Sequence, residues 1–237
     1  MNVLIIPDVH GRTFWRRAKE LVKQYQKIIF LGDYLDPYSQ EGINPDMAFT
    51  EFKEIIEFKK KYPKKVTLLL GNHDLHYLSP YFIPSSRRND FKADEYQKVY
   101  EENKDMFACF KMFRSFGHKW LFSHAGVTQH WLRQNKLLLP ELLEKSLDEL
   151  LDNKGYKWGG LLEQVSYYRG GPSEWGSPVW MDIHEGLNGS MVLDAKITQI
   201  VGHNQLKEGM HKEDGVYFTD CRRLISLNTK TREITYA

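Results

Sequence analysis

The chain has 237 residues, 41% of them hydrophobic and 14% aromatic, with 33 Lys plus Arg against 31 Asp plus Glu. That hydrophobic content excludes a disordered chain, and the near balance of charge removes any general electrostatic case for coating nucleic acid, leaving only a local basic groove open. Two cysteines, Cys109 and Cys221, are too few for a disulfide framework and lack a metal-ligand spacing, so both are expected as thiols in a reducing, cytoplasmic setting.

The first element is a strand over Val3 to Ile6. Its apolar run is too short for a signal peptide, lacks a basic start and stops at Pro7-Asp8. No later stretch approaches the ~20 apolar residues that cross a bilayer. Thr13 to Gln26 reads as a helix, and Ile28 to Leu31 as a second strand. A helix capped by Asn44, with Pro45 at its first position, follows. Its stripe is Met47, Phe49, Phe52, Ile55 and Ile56. Lys59 to Lys65 is its solvated end, and Val66 to Leu70 is the third strand. Compact Val/Ile/Leu runs of this kind suit strands buried on both faces, and their alternation with helices predicts an α/β sandwich with right-handed crossovers.

Beyond Gly71 the character changes. Leu75 to Asp90, with Pro80 and Pro84, reads as a long loop, and Asp94 to Phe107 as a helix with Tyr96, Val99, Tyr100 and Phe107 near one face. Ala108 to Phe116 and Lys119 to Ser123 are expected as a hairpin turning at Gly117. Helices are expected over Thr128 to Asn135 and Pro140 to Leu151, then an irregular Gly-, Tyr- and Trp-rich insertion over Gly155 to Gly176. Strands resume at Ile197 to Val201, Val216 to Thr219, Leu224 to Leu227 and Glu233 to Tyr236. No repeat or linker divides the chain, so a single domain spanning 1–237 is expected.

The polar residues that carry chemistry stand where these strands end. Asp8-Val9-His10-Gly11 follows the first, Gly32-Asp33-Tyr34-Leu35-Asp36 the second and Gly71-Asn72-His73-Asp74 the third. Ser123-His124-Ala125-Gly126 closes the hairpin, and Gly202-His203-Asn204-Gln205 follows the strand from Ile197. Ligands of open α/β sheets bind at the carboxyl ends of strands, so five such clusters would converge on one site. Carboxylate, imidazole and amide oxygen suit first-row divalent metals, and the neighbouring glycines allow sharp turns and close approach.

This series resembles the calcineurin-like metallophosphoesterases, closest to the phosphoprotein phosphatase branch and its phage and bacterial relatives, and it spans residues 8 to 205. The resemblance implies a four-layer α/β/β/α sandwich of two mixed sheets flanked by helices. It implies two divalent metal ions, manganese by preference with iron, zinc and nickel as alternatives. Asp8 and His10 would hold the first, Asp33 would bridge both, and Asn72, His124 and His203 would hold the second. Paired ions activate a water and clamp the phosphoryl oxygens for in-line attack, with no covalent intermediate. His73 matches the family's unligated general acid, with Asp36 fixing its tautomer.

Two positions depart from the branch. The Arg that usually follows GDxxD and binds phosphate is Pro37 here, so another guanidinium would have to serve, with Arg12, Arg87, Arg88, Arg169 and Arg222 as candidates. Gln205 stands where many diesterase-like relatives carry a second histidine, which leans toward the phosphatase branch. Asp74 in place of Glu is a mild change.

A phosphomonoesterase is therefore expected. A phosphodiesterase or nuclease and a dinucleoside polyphosphate hydrolase are the enzymatic alternatives. A metal-binding scaffold module is the non-enzymatic one, disfavoured by the intact ligand set. His76, His118, His130, His184 and His211 are expected as surface or hydrogen-bonded histidines. Trp158, Tyr167, Tyr168, Trp175 and Trp180 fit either a groove that stacks an aromatic group or loop packing.

Overall fold

The computed structural model describes residues 1–78, 87–152, 160–186, 191 and 193–237. The apolar runs become strands as their composition requires. β1 (Asn2–Ile6) is followed by a 3-10 turn at Phe14–Arg16 and the short helix α1 (Arg17–Leu21), then by β2 (Lys27–Phe30). The helix expected over Thr13 to Gln26 is thus much shorter. α2 (Pro45–Lys61) is capped as expected, with Asn44 Oδ1 accepting from the Met47 amide at 2.9 Å. Phe49, Phe52, Ile55 and Ile56 bury its stripe, but Met47 is half exposed because it lies in the first turn, outside that stripe.

β3 (Val66–Leu69) leads into α3 (Asn72–Leu78), so the chain does not enter a loop at Leu75. The rest of that expected loop, including Pro80 and Pro84, lies largely outside the described residues. α4 (Ala93–Glu102) ends well before Phe107, which instead starts the two-residue β4 (Phe107–Ala108) beside β3. The single strand expected over Ala108 to Phe116 is two: β4 belongs to one sheet and β5 (Lys111–Ser115) to the other.

β5 pairs with β6 (His118–Phe122) through Phe116 and Gly117, both at positive φ (50° and 71°), the conformation that a two-residue hairpin turn demands. α5 (Gln129–Gln134) is capped by Thr128. The helix expected over Pro140 to Leu151 breaks into α6 (Leu139–Glu144) and α7 (Leu147–Leu151). The break is chemical: Ser146 and Glu149 form a reciprocal capping box that starts a new helix. Residues 153–159 fall outside the described part of the expected insertion. From Gly160 to Gly176 the described residues hold only turns, a 3-10 turn and an isolated bridge between Ser166 and Ser173. α8 (Ile183–Gly186), β7 (Ile197–Val201), β8 (His211–Glu213), β9 (Val216–Phe218), β10 (Ile225–Asn228) and β11 (Glu233–Tyr236) complete the chain.

The result is an α/β fold of two mixed sheets with flanking helices. Two compact units divide the chain: Met1–Ala108 with Arg222–Ala237, and Cys109–Cys221. The first holds the sheet ordered β11-β10-β1-β2-β3-β4, parallel from β1 to β4 and antiparallel at β10 and β11. The second holds β5-β6-β7-β9-β8, parallel across β6, β7 and β9. Its core packs Ala125, Met181, Met191, Val201, Val216 and Phe218.

Candidate metal-binding active site

In the first unit the ends of β1, β2 and β3 bring Asp8, His10, Asp33, Asp36, Asn72, His73 and Asp74 into one buried loop cluster. The backbone bends hard to do so. His10, Asp33 and Asp36 all sit at positive φ (46°, 53° and 57°), a region that side chains other than glycine rarely adopt and that costs energy unless surrounding contacts hold it. A Cβ on Gly32 would lie 2.4 Å from the Gly71 nitrogen, so these two loops meet only because position 32 is glycine.

Asp74 ties the loops together. Its carboxylate accepts from the amides of Asp33 (2.8 Å), Tyr34 (3.0 Å) and Gly71 (2.7 Å), and from the Tyr100 hydroxyl at 2.5 Å. A change that reads as mild in the sequence therefore stands at the structural centre of the site.

Asp8, His10 and Asp33 place one ligand atom each within 4.8 Å of one another, and all three are buried. His10 Nδ1 lies 2.9 Å from the Leu35 carbonyl oxygen. A carbonyl can only accept, so Nδ1 carries the hydrogen and Nε2 presents its lone pair. That lone pair faces Asp33 Oδ2 at 3.4 Å. Burial holds His10 neutral, pushing its pKa well down, with the charges of His73, Arg87 and Arg12 adding to the effect. Burial also pushes the Asp33 carboxyl up, and the neighbouring Asp74 reinforces it. Two acceptors facing each other in a desolvated pocket form a donor set that a cation completes. Their spacing matches the ~3.0–3.4 Å between adjacent ligands bonded at ~2.0–2.2 Å to one first-row ion.

Beside this group, His73 Nδ1 lies 2.8 Å from Asp36 Oδ2. The same oxygen meets His76 Nε2 at 2.8 Å, and Oδ1 accepts from the Tyr77 hydroxyl. Burial alone would raise the Asp36 pKa, but the hydrogen bonds from His73 and His76 outweigh it and hold the carboxyl below its usual range. Asp36, His73 and His76 also lie close enough together to hold a cation, and of their two 2.8 Å contacts the one between His73 and Asp36 is a hydrogen bond. Burial pushes His73 down to about 4, with Arg87 and His76 contributing and Asp36 opposing.

In the second unit, His124 follows β6 and His203 follows β7, the latter again at positive φ (65°). Their ring nitrogens, Nε2 and Nδ1, are 3.1 Å apart, within the spacing of two ligands on one ion. The Gly202 amide donates to the His124 carbonyl at 2.7 Å, which fixes the two strand ends together. The Trp180 ring stands edge-on to His203 at 6.0 Å.

The chain matches the family model described as calcineurin-like phosphoesterase over residues 1–204. It belongs to that family. Among solved structures it is similar to a Saccharomyces cerevisiae protein serine/threonine phosphatase described as similar to human phosphatase PP5, at 12% identity and a TM-score of 0.54, covering all of this chain and 79% of that one. It is also matched to an archaeal phosphodiesterase (12% identity, TM-score 0.40, 100% and 99% covered) and to a Sphaerobacter thermophilus metallophosphoesterase (12%, 0.44, 100% and 86%). At 12% identity the likeness to the yeast phosphatase speaks to the fold alone; the family match makes the chain a metal-dependent phosphoric ester hydrolase.

The phosphoesterase deploys its remaining polar residues unevenly. Of the arginines considered for a phosphate clamp, Arg12 and Arg222 both pair with Glu41, Arg88 pairs with Asp90 and Arg169 with Asp182. Arg87 instead meets His73 Nε2 at 2.9 Å and donates to the Asp36 backbone carbonyl at 2.7 Å. His76, expected as a surface or hydrogen-bonded histidine, and Tyr100, expected on one face of its helix, are buried supports of the site, and so is Tyr77, whose only signal in the sequence was its place just after the GNHD segment. Among the aromatics, Trp175 stacks on His130 at 4.2 Å, Tyr168 stacks on His184, and Tyr167 and Tyr168 are exposed. Trp158 lies outside the described residues. Among the described residues no helix is long and apolar enough to cross a membrane.

Proposed function

We propose that this phosphoesterase is a phosphomonoesterase, serine/threonine-phosphatase-like in its chemistry, with the chain 1–237 acting as one metallophosphoesterase domain. Asp8, His10 and Asp33 would supply ligands to a first ion. Asp33, Asn72, His124 and His203 would supply them to a second. Divalent ions, manganese by preference with iron, zinc or nickel as alternatives, supply an activated water and neutralise phosphoryl charge. His10 offers Nε2 because Leu35 occupies its other nitrogen. Burial among hydrogen-bonded loops keeps competing water from the carboxylates.

The observation that carries the reading is the His73–Asp36 pair, buried and hydrogen-bonded at 2.8 Å in the same loop cluster as the Asp8–His10–Asp33 group. Asp36 orients the ring through Nδ1, leaving Nε2 to donate a proton to the departing oxygen. The phosphate's own negative charge favours the protonated ring and offsets the burial that holds it low. A cytoplasmic location belongs to the same proposal and rests on a chain with only two cysteines, too few for a disulfide framework.

One observation favours a second reading. Pro37 removes the arginine that a monoester dianion would use, so a phosphodiesterase, nuclease or dinucleoside polyphosphate hydrolase is the alternative. Manganese-loaded protein is assayed on p-nitrophenyl phosphate and on its bis-ester, with His73→Ala as control. A monoester preference lost with His73 supports the proposal. A diester preference overturns it, and no turnover of either, or of a dinucleotide, returns the chain to the scaffold reading.

A further inference from the structure

Arg87 stands just ahead of α4, far in sequence from the position after GDxxD where the branch keeps its phosphate-binding arginine. Its Nη2 lies 2.9 Å from His73 Nε2, and its Nη1 donates to the Asp36 backbone carbonyl at 2.7 Å. The guanidinium carbon rests 3.5 Å from the centroid of the Tyr38 ring. All three partners are neutral groups, whereas Arg12, Arg88, Arg169 and Arg222 each already hold a carboxylate. Among the described residues Arg87 has no carboxylate within ion-pair distance.

We propose that Arg87 binds the phosphoryl oxygens of the substrate, taking over the function that Pro37 cannot perform. This rests on the phosphomonoesterase reading of the same site. The geometry supports it in three ways. The guanidinium is already positioned, because stacking on Tyr38 and the Asp36 carbonyl fix its plane while leaving its charge uncompensated by an acid. Its Nη2 sits at the one nitrogen of His73 that Asp36 does not occupy, which is where the reacting phosphate has to come for the ring to protonate a leaving oxygen. And a guanidinium can only donate, so its contact with Nε2 requires that nitrogen to be the acceptor; a phosphate oxygen is a far stronger acceptor and displaces the ring as its partner. Tyr38 and Arg87 together would favour a dianionic monoester, which offers more negative charge to the fork than a diester does.

The test compares wild type, Arg87→Ala and Arg87→Lys, each loaded with manganese and checked for metal content. Inorganic phosphate binding is followed by calorimetry, and KM and kcat are measured on p-nitrophenyl phosphate and its bis-ester. Loss of a charge-assisted contact should weaken phosphate binding and raise the monoester KM by about 10- to 100-fold in Arg87→Ala. Arg87→Lys should recover part of it, while metal content stays within about twofold and the bis-ester KM rises by clearly less than the monoester KM. Unchanged phosphate affinity, or an equal loss on both esters, overturns the assignment. If wild type turns over only the diester while phosphate affinity still depends on Arg87, the monoesterase reading fails and the role of Arg87 stands.

Discussion

The two units bring different chemistry to their strand ends. The first gathers four carboxylates, Asp8, Asp33, Asp36 and Asp74, into a desolvated loop cluster, and stabilises that charge with backbone amides, tyrosine hydroxyls and imidazoles. The second offers imidazoles, His124 and His203, against Trp180. An imidazole can be buried neutral at modest cost, whereas a buried carboxylate needs several donors or a cation. The first unit is therefore bound to be the more interdependent: each acid is held by groups that other members of the cluster position. The second should tolerate the loss of one ligand without structural collapse.

The largest effect that would expose this contrast is on metal content. Asp33→Ala removes the carboxylate proposed to touch both ions, so both should be lost and turnover should fall to background. His203→Ala should lose one ion and retain the other. Metal analysis of the two purified variants decides it, and retention of two ions by Asp33→Ala would sink the bridging assignment. Next in size, His73→Ala should lower turnover by ~10²–10⁴ with metal content unchanged, since proton donation to the leaving group is typically worth that much. A matching loss of metal would mean that His73 is a ligand rather than an acid.

Asp74 tests interdependence through stability. Asp74→Ala would leave the amides of Asp33, Tyr34 and Gly71 and the Tyr100 hydroxyl without their acceptor. Each orphaned buried donor costs ~1–3 kcal/mol, so with partial relaxation a total near ~4 kcal/mol is expected. Asp74→Asn keeps one acceptor oxygen and should lose roughly half as much. His124→Ala in the second unit, which removes an imidazole rather than a buried carboxylate, should cost less than Asp74→Ala. Urea unfolding of the metal-free variants gives the comparison, and equal losses would remove the distinction between the units.

The same contrast governs what could be read from the sequence. β1, β2 and β3 were legible because strands buried on both faces must be continuous apolar runs, and Asn44-Pro45 announced α2. β8 was not, because His211-Lys212-Glu213 carries no apolar signal at all. α3 was hidden since Asn72, His73 and Asp74 read as motif residues rather than as the first turn of a helix. Within the site, residue types and spacing pointed to Asp8, His10, Asp33, Asp36 and His73, whose grouping in the first unit is now visible. What spacing could not carry was three-dimensional. The left-handed backbone at His10, Asp33 and Asp36, the four bonds of Asp74 and the placement of Arg87 against His73 all depend on contacts between segments distant in sequence.

The smallest effect concerns the two thiols, which stand at either end of the second unit. Cys109 is buried, and burial alone pushes its pKa up to about 12. At pH 8 a thiol with that pKa is about one part in ten thousand thiolate, and the thiolate is the reactive form. Cys221 is partly exposed. Titration of the native protein with a disulfide reagent should therefore label one thiol per chain within minutes, and the second only in denaturant. The sign is fixed by the burial of Cys109: raising the pH from 7 to 9 should still leave Cys109 protected. Rapid native labelling of Cys109 would mean that the chain opens where the first unit passes into the second.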